Sequence, residues 1–229
     1  MENIYYSDII YLVSFLITLI AQILVSASYS KYKKILNNKD NTGYDTARKI
    51  LDSNNLEDVM ILETKGNLTD HYDPKRKVIK LSTDIYHGSS IASAAVAAHE
   101  CGHAIQDKNK YIPMRIRSFI VPFVNICTRL GYLAIVIGLI FNRAALLEAG
   151  IILLLAMLLF QLITLPVEFN ASKRALKELE KEHILSDDEK GNAKKMLLAA
   201  AFTYVASVLT TLLQIFRLVL ISSSNDRRR

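Results

Sequence analysis

Ala97-Ala98-His99-Glu100-Cys101-Gly102-His103-Ala104-Ile105-Gln106 sets two histidines four residues apart on either side of a glutamate. Ser89-Ser90 can cap a helix just upstream, and the small apolar run from Ile91 to Ala98 suits a buried one. Residues four apart on an α-helix lie one turn above each other on the same face, so His99 and His103 can offer two imidazole nitrogens to one metal ion. Glu100 projects beside them, able to reach a metal-bound water. Cys101 points to the far side of the helix. Ala97, Ala98 and Gly102 have little bulk, which lets another element pack close to the ligand face. This helix is too short to cross a bilayer: only about eight apolar residues precede His99, and Asp107, Lys108 and Asn109 follow.

Outside this helix the chain is dominated by long apolar runs, which account for its 51% hydrophobic content. They extend from about Ile9 to Tyr29, Phe119 to Phe141, Ala144 to Val167 and Met196 to Ile221. Each reaches the roughly 20 residues that a bilayer core demands. The first lacks a basic leader, carrying Glu2 and Asp8 instead, and reads as a retained anchor rather than a cleaved signal. The net charge of +6 is not a nucleic-acid patch. Of the 28 Lys and Arg, 15 lie between Lys31 and Arg117 and seven between Lys173 and Lys195, in the two loops that flank the spans. That distribution follows the positive-inside rule and places both loops in the cytoplasm, with the Asn142-Arg143 turn outside. Four spans would also put the Arg227-Arg228-Arg229 tail outside, against the same rule. Cys101 and Cys127 are not placed for a disulfide, in keeping with a reducing compartment.

These features predict a mainly α integral membrane protein, with about four transmembrane helices and a small cytoplasmic α+β, zincin-like part. Tyr44 to Leu51 reads as a short helix. Val59 to Thr64, Leu68 to Tyr72 and Lys77 to Ser82 read as strands, with turns at Gly66-Asn67 and Asp73-Pro74, forming a short sheet ahead of the metal helix. Within a single unit of residues 1–229, the segments are an anchor (1–30), a cytoplasmic part (31–117), a transmembrane hairpin (118–167), a cytoplasmic helix (168–195), a last span (196–221) and a basic tail (222–229). Ser172 to Glu182 reads as a solvated helix, and Ser186 to Glu189 fits a capping box.

The His-Glu-x-x-His pattern is that of a zinc peptidase: two ligands plus a carboxylate that takes a proton from water. Catalytic zinc takes a third protein ligand. Gln106 and Asn109 stand where a metzincin would need Gly and His, so a glutamate from a second helix is the better expectation. Glu168 is the best candidate, because the third span ends near Pro166 and returns the chain to the face that carries His99 and His103. Pro166 would restart or kink the helix there, leaving Glu168 in a first turn. His71, Asp73 and Asp84 compete for the role. His87 and His183 look solvated.

Four separated motifs carry a family resemblance. Thr69-Asp70-His71-Tyr72-Asp73-Pro74, the stretch Ala97 to Gln106, Leu165-Pro166-Val167-Glu168-Phe169-Asn170-Ala171-Ser172 and Thr203-Tyr204-Val205-Ala206 together resemble the YugP-type neutral zinc metallopeptidases of bacterial membranes, over nearly the whole chain. The resemblance implies a multi-pass zinc peptidase of the bacterial cell membrane. The Glu168 segment is also similar to the Glu-x-x-x-Asp element of HtpX-type membrane proteases, whose aspartate supports a ligand histidine. Ser172 stands at that place here, and Asn170 or Asp73 are alternative supports.

The function expected from these residues is zinc-dependent cleavage of peptide bonds inside a chain, with one Zn²⁺ per chain held by His99, His103 and Glu168, and Glu100 as general base. Tyr204, His71 and Tyr72 are candidate donors to the oxyanion. The expected partners are a peptide or membrane-protein substrate and the lipid bilayer, with no nucleic acid. Two other classes use the same residues: an inactive zinc-binding membrane scaffold or assembly factor, and a small metal-site transporter. The few polar residues in the spans disfavour the transporter. Loss of function in Glu100→Gln with zinc retained separates the enzyme from both.

Overall fold

Long uninterrupted apolar sequence becomes long helix, because a chain in lipid must satisfy its backbone polar groups internally. The computed structural model describes residues 2–141 and 143–226. The expected turn residue Asn142 and the tail Arg227–Arg229 lie outside the described residues. The elements run α1 (Glu2–Tyr32), α2 (Gly43–Ser53), β1 (Met60–Thr64), β2 (His71–Asp73), β3 (Val78–Ser82), α3 (Thr83–His87), α4 (Ile91–Lys108), α5 (Ile112–Ile140), α6 (Ala144–Lys181) and α7 (Asp187–Asp226). Stretches of α1, α5, α6 and α7 are long and apolar enough to cross a membrane. The chain divides into two compact units.

One unit comprises residues 1–22, 116–165 and 202–229 and is helical where described, apart from Phe141 and Arg143 between α5 and α6. Large apolar side chains such as Phe119, Phe123, Ile140 and Ile152 are exposed on it, as expected of surface that meets lipid. Its helices pack through small residues, as membrane helices do when burial in water cannot drive them together. A Cβ on Gly150 would come 2.4 Å from Ile135 Cγ1, and one on Gly138 would come 3.0 Å from the Leu147 backbone nitrogen, so α5 and α6 approach where side chains are missing. Arg217 in α7 is held by α1. Its Nε donates to the Ser7 carbonyl at 3.1 Å, and its guanidinium stacks 5.0 Å from the Tyr11 ring centre.

The other unit comprises residues 23–115 and 166–201. Its sheet has the order β1-β3-β2. β1 runs parallel to β3 with Met60 opposite Val78, and β2 runs antiparallel with His71 opposite Lys80. The second strand is shorter than Leu68–Tyr72 and sits later. Gly66 and Leu68 take left-handed backbone angles, φ +103° and +56°, which no strand accommodates. The chain then turns after Asp73, whose Oδ1 accepts the amides of Lys75 and Arg76. α3 was not foreseen, being only five residues long. α2 is amphipathic and begins with a capping box between Thr42 and Asp45. Ile50 and Leu51 of α2, Ile79 and Leu81 of β3 and most of α4 are fully buried together.

Two expectations about α6 are corrected. Pro166 neither stops nor restarts the helix: α6 runs unbroken from Ala144 to Lys181, and Glu168 lies inside it rather than in a first turn. A proline inside a helix removes one backbone hydrogen bond, and the turns on either side carry the helix through that loss. The segment from Ser172 to Glu182 is not simply solvated. Ala171, Ala175, Glu178 and Leu179 are buried, and Glu178 accepts a hydrogen bond from Asn54 Nδ2 at 2.8 Å. The capping box at Ser186 is present, with Glu189 Oε2 accepting from both the amide and the hydroxyl of Ser186.

Candidate metal centre

α4 is placed by the residue that caps it. Ser90 is buried, its hydroxyl accepts the Ser93 amide at 3.0 Å, and it forms a bridge with Leu36. From there Ala92, Ala94, Ala95, Ala97 and Ala98 bury against their surroundings with no exposed surface, so a helix that is apolar on nearly all sides is held inside the unit. On the far side of the ligand face, Cys101 Sγ approaches the Ala47 carbonyl of α2. Burial raises its thiol pKa well above the ordinary value, which leaves it a small packing residue.

Gly102 decides how close α4 and α6 come. A Cβ there would meet the Ala171 carbonyl oxygen at 2.5 Å and the Ala171 Cα at 3.2 Å, both backbone atoms. Gly102→Ala is therefore expected to force the helices apart at a cost of roughly 1–3 kcal/mol, read as a lowered unfolding midpoint together with weakened metal binding.

At this crossing three side chains converge. One donor atom from each of His99, His103 and Glu168 lies within 4.8 Å of the others. Glu168 Oε2 stands 3.3 Å from His99 Nε2 and 3.6 Å from His103 Nε2. The other nitrogen of each ring is held from behind. Gln106 Oε1 lies 3.1 Å from His103 Nδ1, while Gln106 Nε2 donates to the Val167 carbonyl and to Asn170 Oδ1. Both of those partners are acceptors, so the amide cannot be turned round, and His103 Nδ1 must carry the proton. Its Nε2 lone pair is then free to face the convergence point. Ser172 Oγ stands 3.2 Å from His99 Nδ1, where its hydroxyl can either accept or donate the hydrogen bond, and leaves Nε2 facing Glu168. Two nitrogens and a carboxylate oxygen, oriented in this way, are the donor set that zinc favours.

From the sequence Gln106 serves only to exclude a metzincin and has no assigned part in the site. The available signal is a glutamine three residues after His103, and the structure buries it wholly. Gln106→Leu is expected to weaken divalent-metal binding by roughly 10- to 100-fold, measured by calorimetric titration of the metal-free protein.

Glu100 is 7% exposed. Burial, reinforced by Glu168 and Asp70, pushes its carboxyl up to about 7 against the pull of His99 and of the Tyr72 amide. Tyr72 also fastens β2 to the end of α4, because its hydroxyl donates to Asp107 Oδ2 at 2.9 Å. That hydroxyl is thus engaged away from Glu100.

The other candidate residues are placed as follows. His71 is exposed on β2, with Nδ1 2.8 Å from the Thr69 carbonyl, and does not join the three converging donors. Asp73 serves the turn after β2. Asp84 pairs with Lys33. Asn170 accepts from Gln106 and from Arg174, and so acts at one remove from His103. Tyr204 stands half-buried on α7 in the other unit and lines a cavity there. His87 and His183 are exposed.

Residues 7–223 match the family model described as "Putative neutral zinc metallopeptidase". The chain is also 43% identical over 201 residues to "Putative membrane protease YugP" of Bacillus subtilis (strain 168), a match that covers 88% of this chain and 89% of that protein. No solved structure matches.

Proposed function

We propose, from the premise that the chain belongs to the neutral zinc metallopeptidase family, that it is a membrane-bound zinc endopeptidase of the gluzincin type. The convergence of His99, His103 and Glu168 beside a buried Glu100 is the observation that carries this reading. One zinc ion per chain is held by His99 Nε2, His103 Nε2 and the Glu168 carboxylate. Ser172 orients His99, and Gln106 with Asn170 behind it orients His103. Zinc, when bound, supplies a Lewis acid for the scissile carbonyl and lowers the pKa of water toward about 7.

Glu100 does the proton work. Its carboxylate accepts a proton from the attacking water and passes it to the leaving amine nitrogen. Burial lifts this carboxyl in the metal-free protein, and beside a bound zinc ion it would be drawn back toward the carboxylate that accepts the proton. Tyr204 and His71 are the proposed donors to the oxyanion, and Tyr72 drops out because its hydroxyl is engaged by Asp107. The Lys and Arg distribution supports a site facing the cytoplasm of a bacterial cell, with peptides or membrane proteins at that surface as substrates. The basic residues follow the spans rather than forming a nucleic-acid surface.

Stripping zinc from the detergent-solubilised protein with a chelator is expected to abolish cleavage of a broad peptide library, and one equivalent of zinc is expected to restore it. Cleavage that survives complete metal removal overturns the proposal. Tightly held zinc without cleavage of any peptide moves the scaffold reading ahead.

A further inference from the structure

Arg129 and Arg217 both lie inside apolar runs, and the fold provides for only one of them. Arg217 of α7 is held by α1, through the Ser7 carbonyl and the Tyr11 ring. Arg129 of α5 is exposed, and its guanidinium makes no ion pair, hydrogen bond or ring contact with any of the described residues. Its position makes this costly. Ten residues separate it from Phe119 and twelve from Phe141, the ends of the run. That is about 15 and 18 Å along the helix, the middle of a bilayer core about 30 Å thick. A guanidinium keeps its charge at any cellular pH. Charged side chains at this depth face protein or water and are paired, and snorkelling serves those near a helix end.

The surface around Arg129 suits a helix. The positions three, four and seven residues to either side are Pro122, Asn125, Ile126, Tyr132, Leu133 and Val136, and all six are exposed. They form one stripe along about four turns of α5. The Asn125 side chain, one turn from Arg129, likewise has no hydrogen-bond partner among the described residues. A lipid acyl chain would cover the apolar positions and leave the charge unmet. A transmembrane helix covers them and can bring a carboxylate to the same level, where a two-pronged pair with the guanidinium offsets the burial of both charges.

A second copy of this chain does not supply that carboxylate. The four apolar runs contain a single one, Glu148. A Cβ on Gly131 would touch Leu153 and one on Gly138 would touch Leu147, so α5 and α6 run antiparallel with Arg129 level with about residue 155. Glu148 is then about 10 Å nearer the Arg143 turn. Side chains lean toward the N-terminus of their own helix, which carries these two further apart. Copies inserted in one orientation keep each residue at its own depth, so Glu148 of one copy does not meet Arg129 of the next.

We infer that this face of α5 binds a transmembrane helix of a different membrane protein, one that carries an aspartate or glutamate near the middle of its span, paired with Arg129. The pairing requires neither zinc nor Glu100, so it stands or falls apart from the peptidase reading.

The test uses full-length, zinc-loaded protein in vesicles of neutral lipid, with Ile126→p-benzoylphenylalanine as a photo-cross-linker on the stripe. The probe is a membrane segment of about 20 leucines with a central glutamate, compared with the same segment carrying leucine or lysine there. The glutamate segment is expected to cross-link roughly tenfold more than either. Arg129→Leu is expected to remove that preference while zinc content and unfolding midpoint stay unchanged. Arg129→Lys is expected to keep most of it, and Arg129→Glu to transfer it to the lysine segment. Equal cross-linking of the three segments, a preference that Arg129→Leu leaves intact, cross-links to lipid alone, or cross-links between two copies of the chain in place of the probe overturns the inference.

Discussion

Glu168→Ala is expected to leave the purified protein without bound zinc. The two histidines occupy successive turns of one helix and can contribute only one edge of a coordination shell. The carboxylate from α6 supplies the ligand from another direction. Glu168 is 2% exposed, and its Oε2 stands within 3.6 Å of both imidazoles, so alanine removes the one carboxylate at this point. Removing a residue that merely supports a ligand costs roughly 10- to 100-fold in affinity, and removing the ligand itself is expected to exceed that range. Zinc content by atomic absorption, after dialysis against buffer with a weak chelator, reads the result. A variant that keeps a full equivalent of zinc moves the third ligand away from α6, with His71 the next histidine to replace.

Glu100→Gln is expected to do the opposite: to keep zinc and lose the reaction. Glutamine has the shape of glutamate and can still receive the Tyr72 amide, but it cannot take a proton from water. Cleavage is expected to fall by roughly 10²- to 10⁴-fold, the usual worth of a positioned proton-transfer group. The same variant makes a separate statement about stability. Burial raises the Glu100 carboxyl from its ordinary 4.5 to about 7, so the metal-free folded state holds this proton more tightly than the unfolded chain does. Stability from this group is therefore greatest below pH 4.5 and falls as pH rises through 7. Glutamine carries no such loss. The metal-free variant is thus expected to unfold at a higher temperature than metal-free wild type at pH 8, and the gap is expected to close by pH 4. A gap that does not change with pH would mean that Glu100 is not held in the buried state described here.

The histidine pair and its glutamate could be read directly, because a four-residue spacing on a helix is a local relation that requires no knowledge of the rest of the chain. The four apolar runs were equally legible, since a bilayer sets the length of its crossing segments. Glu168 was reached less directly, by following the chain through a hairpin and back. The helix that carries it runs on through Pro166, because proline, which ends helices in water, is tolerated in a membrane helix whose flanking turns continue on both sides. The second strand was drawn too early, since the left-handed turn at Gly66 and Leu68 outweighs the strand-forming residues that follow it.

Read alone, the sequence of this protein determined that His99 and His103 share one helix face and how many long apolar helices the chain has, because each follows from periodicity or length within one segment. Only the tertiary structure decided which nitrogen of each histidine faces the convergence point. That depends on Gln106 being locked by Val167 and Asn170, and on Ser172 standing behind His99. Only the tertiary structure decided, too, that Gly102 must lack a side chain for α6 to bring Glu168 within reach. These are relations between residues more than sixty positions apart. Their geometry is set by how closely two helices can pack, which no single segment encodes.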